Sequence, residues 1–134
     1  MPFPLDPARV DAAERAFGAR FPRAYRDSMI LGNGGSVTAL DEDWQLHPIS
    51  DDSDAKRLKR TCNDVLRETT EARAWPGFPE GALVIGSNGS GDLLVFLPAK
   101  QDGELGDVVY RFDHETSGLE PVAESFGALP WRAG

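Results

Sequence analysis

Between Asp6 and Gly18 the apolar positions Val10, Ala13 and Phe17 recur at helical spacing and predict a first helix. Asp6 can accept from the open N–H groups of the first turn, Pro7 suits the first helical position, and Gly18 supplies a stop. A second start at Phe21-Pro22 leads into a stripe of Phe21, Tyr25, Met29 and Ile30 that ends at Gly32-Asn33-Gly34-Gly35. Those glycines allow the chain to turn into an extended segment over 36–40. Trp44 and Leu46 then alternate with Gln45 and His47, a strand that Pro48 ends. Leu58, Cys62, Val65, Leu66 and Thr69 follow at i, i+4, i+7, i+8 and i+11, the most regular helical stripe in the chain.

After Pro76-Gly77, Pro79 and Gly81 the pattern changes to short apolar runs separated by turns. Segments 83–85 and 93–96 flank Gly86 to Gly91 and read as a hairpin with a glycine-rich connection, and 108–112 reads as a further strand. Val122, Ala123, Phe126 and Leu129 fit a short closing helix over 121–129. Helices early and strands late predict an α+β domain. No internal repeat, heptad run or long linker divides the chain, so residues 1–134 read as one domain.

Composition narrows the class. A chain of 134 residues, 40% hydrophobic and 27% charged, buries about two thirds of its unfolded surface without crosslinks. Its formal net charge of −8 is repelled by nucleic acid and by anionic membranes, and favours basic partners. Apolar runs such as 93–97 are too short to cross a bilayer, and the first eleven residues lack the cationic start and apolar stretch of a secretory signal. Cys62 is the only cysteine, which excludes an intrachain disulfide or a multi-cysteine zinc site and points to a reducing compartment, the cytoplasm.

Catalytic chemistry finds little support. The loop from Gly86 to Gly91 lacks the Lys-Ser or Lys-Thr of a phosphate loop and runs into a strand rather than a helix. Gly32 to Gly35 follows a helix rather than a strand. His47 and His114 are the two imidazole bases, and neither lies in a nucleophile motif. His47 reads as a surface or packing residue, and Cys62 as a small core residue on the long helix. Asp113-His114-Glu115 places three ligating side chains in a row, but strand neighbours point to opposite faces, so a polar hairpin end is preferred over a metal site. No cofactor is expected.

Charge is unevenly distributed. Residues 36–54 hold six acids and no base, whereas 55–74 hold six bases and three acids. Asp51, Asp52 and Asp54 precede a helix, where negative charge complements the macrodipole. Asp41-Glu42-Asp43 exceeds what a turn needs. These six acids are therefore expected to contribute to a face for a basic protein partner, with Trp44 as either a buried core aromatic or the apolar anchor of that face.

Ala13-Glu14 with Phe17-Gly18, Phe21-Pro22 with Tyr25-Arg26, and Gly32-Asn33-Gly34-Gly35 resemble the opening of the SMI1/KNR4 family of the SUKH superfamily. Trp44-Gln45-Leu46, Ile85-Gly86 with Gly91-Asp92, Val108-Val109-Tyr110 leading to Asp113-His114-Glu115, and Val122-Ala123 with Ser125-Phe126 resemble its later landmarks in order, over about residues 9–129. The resemblance implies N-terminal helices on a bent mixed or antiparallel sheet. In bacteria it implies an immunity protein that neutralises a polymorphic toxin, often a nuclease; fungal relatives are regulators. It supplies no catalytic residues. Where relatives carry acids after the Gly91-Asp92 strand, this chain has Phe96-Leu97-Pro98, which argues against a polar site at that strand end. A regulatory or scaffold domain is the alternative function, and a small hydrolase the remoter one.

Overall fold

The structure, a computed structural model, describes residues 3–100 and 103–129. Helix α1 (Pro7–Phe17) begins where Asp6 accepts from Ala8 N–H at 2.9 Å, and ends at Gly18, whose φ of 96° reverses the chain. Helix α2 (Arg23–Leu31) follows Phe21 and buries Tyr25 and Met29. Two short strands come next, β1 (Gly35–Ala39) and β2 (Glu42–Leu46). Helices α3 (Ala55–Arg60) and α4 (Val65–Ala72) precede the longer sheet segments β3 (Leu83–Ser87), β4 (Leu93–Pro98), β5 (Leu105–Phe112) and β6 (Leu119–Ala123). A 3-10 turn, Phe126–Ala128, closes the described chain.

All six strands form one antiparallel sheet in sequence order, β1 to β6. Strands β3 and β4 lie in the middle and are buried on both faces, which explains their unbroken apolar runs. One face, with Trp44, Leu46, Leu83, Ile85, Leu94, Phe96 and Val109, packs against α1, α2 and Phe126. Tyr25 sits at the centre of that core, edge-on to Phe21, Phe96 and Phe126. The opposite face, with Val84, Leu93, Val95 and Phe112, is covered by Ala72, Trp75, Phe78 and Ala82. Strand β2 approaches β3 closely at Gly86, where a Cβ would lie 2.9 Å from the Gln45 carbonyl oxygen.

Two expectations are corrected. The long helical stripe divides at Thr61 into α3 and α4. The Thr61 hydroxyl accepts from Asp51 N–H at 2.9 Å, and Asp64 starts a new helix by accepting from Leu66 and Arg67 N–H. Leu58 and Cys62 consequently face solvent, so Cys62 is an exposed thiol rather than a core residue. The closing helix over 121–129 is instead strand β6 followed by the 3-10 turn, because Val122 and Ala123 pack on the sheet while Phe126 turns into the core.

Candidate functional site

In an antiparallel meander the turns β1–β2, β3–β4 and β5–β6 all emerge at one end of the sheet. Side chains join them laterally. Asn88 Nδ2 donates to Glu42 Oε2 at 3.2 Å, linking the first turn to the second. Asp92 and His114, paired at 2.7 Å, link the second to the third. This turn end gathers Asp41, Glu42 and Asp43 with Asp113 and Glu115, although some seventy residues separate the two groups in sequence.

The β1–β2 connection is a two-residue turn, with Ala39 opposite Glu42 and both central residues left-handed: Leu40 at φ 51° and Asp41 at φ 59°. Such turns favour Asn and Gly, so the leucine is held at a cost of about 1 kcal/mol. Leu40 is also one of the few large apolar side chains exposed to solvent, at 41%. Asp41 is exposed at the tip, and Asp43 lies on the outward face opposite Thr38. Trp44 is fully buried and its indole N–H donates to the Ala39 carbonyl at 3.0 Å. It stabilises the base of the hairpin and has no surface to offer a partner, which settles its two readings in favour of the core.

The other three acids lie beyond the opposite end of β2 and are engaged by the fold. Asp51 is buried at 5% exposure and accepts from Ser53 N–H at 3.0 Å. Burial opposes its charge, but that hydrogen bond and the nearby charges of Arg57 and Arg9 prevail, so its pKa lies below the ordinary value. Asp52 pairs with Arg9 at 2.5 Å. Asp54 accepts from Arg57 N–H at 2.8 Å and caps α3. The six predicted face acids thus fall into two groups, of which Asp41, Glu42 and Asp43 alone share the turn end.

Asp92 is the buried polar hub of that end. Arg111 donates to its Oδ2 from Nε and Nη2, at 3.1 and 2.8 Å, while the backbone N–H and Nδ1 of His114 contact Oδ1. Burial raises the Asp92 pKa, and the bonds from His114 and Arg111 outweigh it, leaving the carboxyl below its ordinary range. Reciprocally, the hydrogen bond to Asp92 raises the His114 pKa above 6.5. His47, remote from this network, is shifted down by burial.

Asp92, Asp113 and His114 offer ligand atoms within 4.8 Å of one another, a trio in which Asp92 takes the place the sequence gave to Glu115. The Arg111 guanidinium already supplies the positive charge there, bound to Asp92 and 3.7 Å from Asp113. Both Asp92 oxygens are occupied by donors, so a metal would have to displace the Arg111 or the His114 hydrogen bonds. The Asp92–His114 pair also has the base-and-orienter form of a hydrolase. Among the described residues no hydroxyl or thiol is hydrogen-bonded to the His114 ring, whose Nε2 lies 3.9 Å from Glu115. The network therefore acts as a clamp that fixes the second and third turns relative to each other.

Sequence reasoning gave no role to Arg111, Leu40 or Asn33. Leu40 carried no signal, because its exposure follows from a turn that leucine disfavours. Asn33 does in side-chain form what a strand would do: its amide donates to and accepts from the Ile49 backbone, each at 2.7 Å, and joins the start of β1 to the segment after β2.

The model of the SMI1 / KNR4 family (SUKH-1) matches residues 4–129. No curated protein matches the chain.

Proposed function

The chain belongs to the SMI1 / KNR4 family (SUKH-1), and from that premise we propose that it is a bacterial immunity protein that binds a cognate toxin and covers its active site. The reading rests above all on the convergence of Asp41, Glu42, Asp43, Asp113 and Glu115 at one rigid end of the sheet. The toxin is a basic nuclease whose cationic substrate groove receives this end in place of nucleic acid. Long-range attraction accelerates encounter, and the exposed Leu40 provides an apolar contact at the hairpin tip, the role for which Trp44 is unavailable. Backbone strain held at such a position fits a binding tip. The protein acts without catalysis or cofactor, in the cytoplasm, and touches neither nucleic acid nor membrane directly; no helix among the described residues is long and apolar enough to cross a membrane. Asp51, Asp52 and Asp54 serve mainly the fold.

Co-expression with the product of the neighbouring upstream gene tests this reading. Restored viability together with co-purification is expected. Rescue without co-purification would replace occlusion by an enzymatic antidote, and failure to rescue would remove that gene product as the target.

A further inference from the structure

A second site, of opposite sign, lies away from the turn end. A cavity of about 350 Å³ opens between α3 and the start of β1, bordered by Phe3, Gly35, Gln45, Asp51, Arg57 and Arg60. Both guanidiniums stack on the Phe3 ring, at 5.1 Å for Arg57 and 4.7 Å for Arg60. This contact leaves their N–H donors free for an anion. Among the described residues neither guanidinium makes an ion pair or a side-chain hydrogen bond, in a chain where acids outnumber bases 22 to 14. Asp51 accepts from Ser53 N–H and also feels the Arg57 charge, while Asp52 is paired with Arg9 and Asp54 caps α3. Two guanidiniums bordering a cavity, with N–H donors not used in hydrogen bonds among the described residues, suit a planar anion.

The surroundings select the anion. Asp51 borders the cavity as a carboxylate, so the lining carries two positive charges and one negative, which suits a monoanion better than a phosphate dianion. The overall charge of −8 opposes a polyanion such as nucleic acid. The cavity also adjoins an outer strand of the sheet. Because Ala39 and Glu42 close a two-residue turn as a hydrogen-bonded pair, Gly35 and Val37 direct their backbone groups to β2, while Ser36 and Thr38 direct theirs outward. Strand β1 carries no proline or charged residue to guard that edge, whereas the opposite outer strand, β6, contains Glu120 and Pro121. We propose that this cavity binds an acidic side chain from an extended segment of a protein partner, with the segment's backbone paired along the outer edge of β1. The site is independent of the toxin-binding reading, since it uses other residues at the other end of β2.

The test is an NMR titration of the whole chain with the blocked peptide acetyl-Thr-Val-Glu-Val-Thr-amide, its Gln counterpart, and inorganic phosphate. The Glu peptide is expected to shift the amides of residues 34–38 and 57–61 and to bind at least about tenfold more tightly than the Gln peptide. Arg57→Ala with Arg60→Ala should abolish that preference, and Arg57→Lys with Arg60→Lys should recover it only in part, because an ammonium lacks the planar fork. Unchanged thermal midpoints for both variants would show that the fold is intact. Equal binding of the two peptides, or no shift at these amides, overturns the proposal. Tighter binding of phosphate makes the cavity a small-anion site instead. Concentration-dependent shifts of the same amides without peptide would assign it to the acidic hairpin of a second copy.

Discussion

At one end of β2, Asp51 is buried beneath α3, Asp52 is paired with Arg9 and Asp54 caps a helix; at the other end, Asp41 and Asp43 project from a hairpin whose indole is turned inward and whose tip exposes Leu40. Sequence position already separates them in part, since only the second lacks a following helix to cap. What separates them is the kind of partner: the first triplet meets open helix N–H groups and basic side chains, while Glu42 accepts from the Asn88 amide and Asp43 from the Thr38 hydroxyl. Acidity buried and neutralised within the fold is less available for recognition. The turn end also contains acids that the fold uses, Asp92 held by Arg111 and His114, and Asp113 accepting from Glu115 and Thr116 N–H, and a buried carboxylate there anchors the turns on which the exposed ones stand.

This contrast can be broken by substitution. Asp92→Ala should have the largest effect, about 3 kcal/mol of unfolding free energy lost, because it leaves the partly buried Arg111 without its main partner and frees His114. Asp51→Ala should cost about 2 kcal/mol by removing the charged acceptor of Ser53 N–H. Urea denaturation measures both, and a change below about 0.5 kcal/mol in either would show that the acid is not consumed by the fold. Leu40→Asn should stabilise the hairpin by about 1 kcal/mol while weakening capture of the partner, since asparagine accepts the left-handed backbone and loses the apolar tip. Replacing Asp41, Glu42 and Asp43 together by serine should alter stability by less than about 0.5 kcal/mol.

The two signs of titration sharpen the same comparison. Asp92 and Asp51 have lowered pKa values in the folded state, so their stabilisation is complete above the unfolded value near 3.8 and disappears as pH falls through the lower folded values. His114 is raised, so its contribution is complete below 6.5 and disappears as pH rises through its higher folded pKa. An NMR titration should place the His114 midpoint above 6.5 in the native protein and lower in Asp92→Asn. An unchanged midpoint in that variant would mean that Asp92 does not set the charge of the ring.

Much of this fold was legible from local signals. Asp6, Pro7 and Gly18 bound α1 as helix punctuation should, and the Gly86 to Gly91 connection marks the β3–β4 hairpin. The division of α3 from α4 was hidden because Thr61 and Asp64 act through a hydroxyl reaching Asp51 and a cap, neither of which disturbs the apolar spacing. The end of the chain misled for a related reason: Val122, Ala123, Phe126 and Leu129 satisfy a helical pattern and also a strand followed by a tight turn, and pairing with β5 decides between them. Of the proposed face, Asp41 to Asp43 stood out as charge without a capping role. Their alignment with Asp113 and Glu115 depends on strand order, which local spacing does not encode.

The most direct test of the central claim is the association rate with the cognate toxin at low ionic strength, measured for the native chain and for Asp41→Lys, Glu42→Lys, Asp43→Lys combined. An acidic turn end that steers and occupies a cationic groove predicts a fall of about tenfold or more, shrinking as salt is added, with folding unchanged. An on-rate equal to that of the native chain at every salt concentration would contradict it.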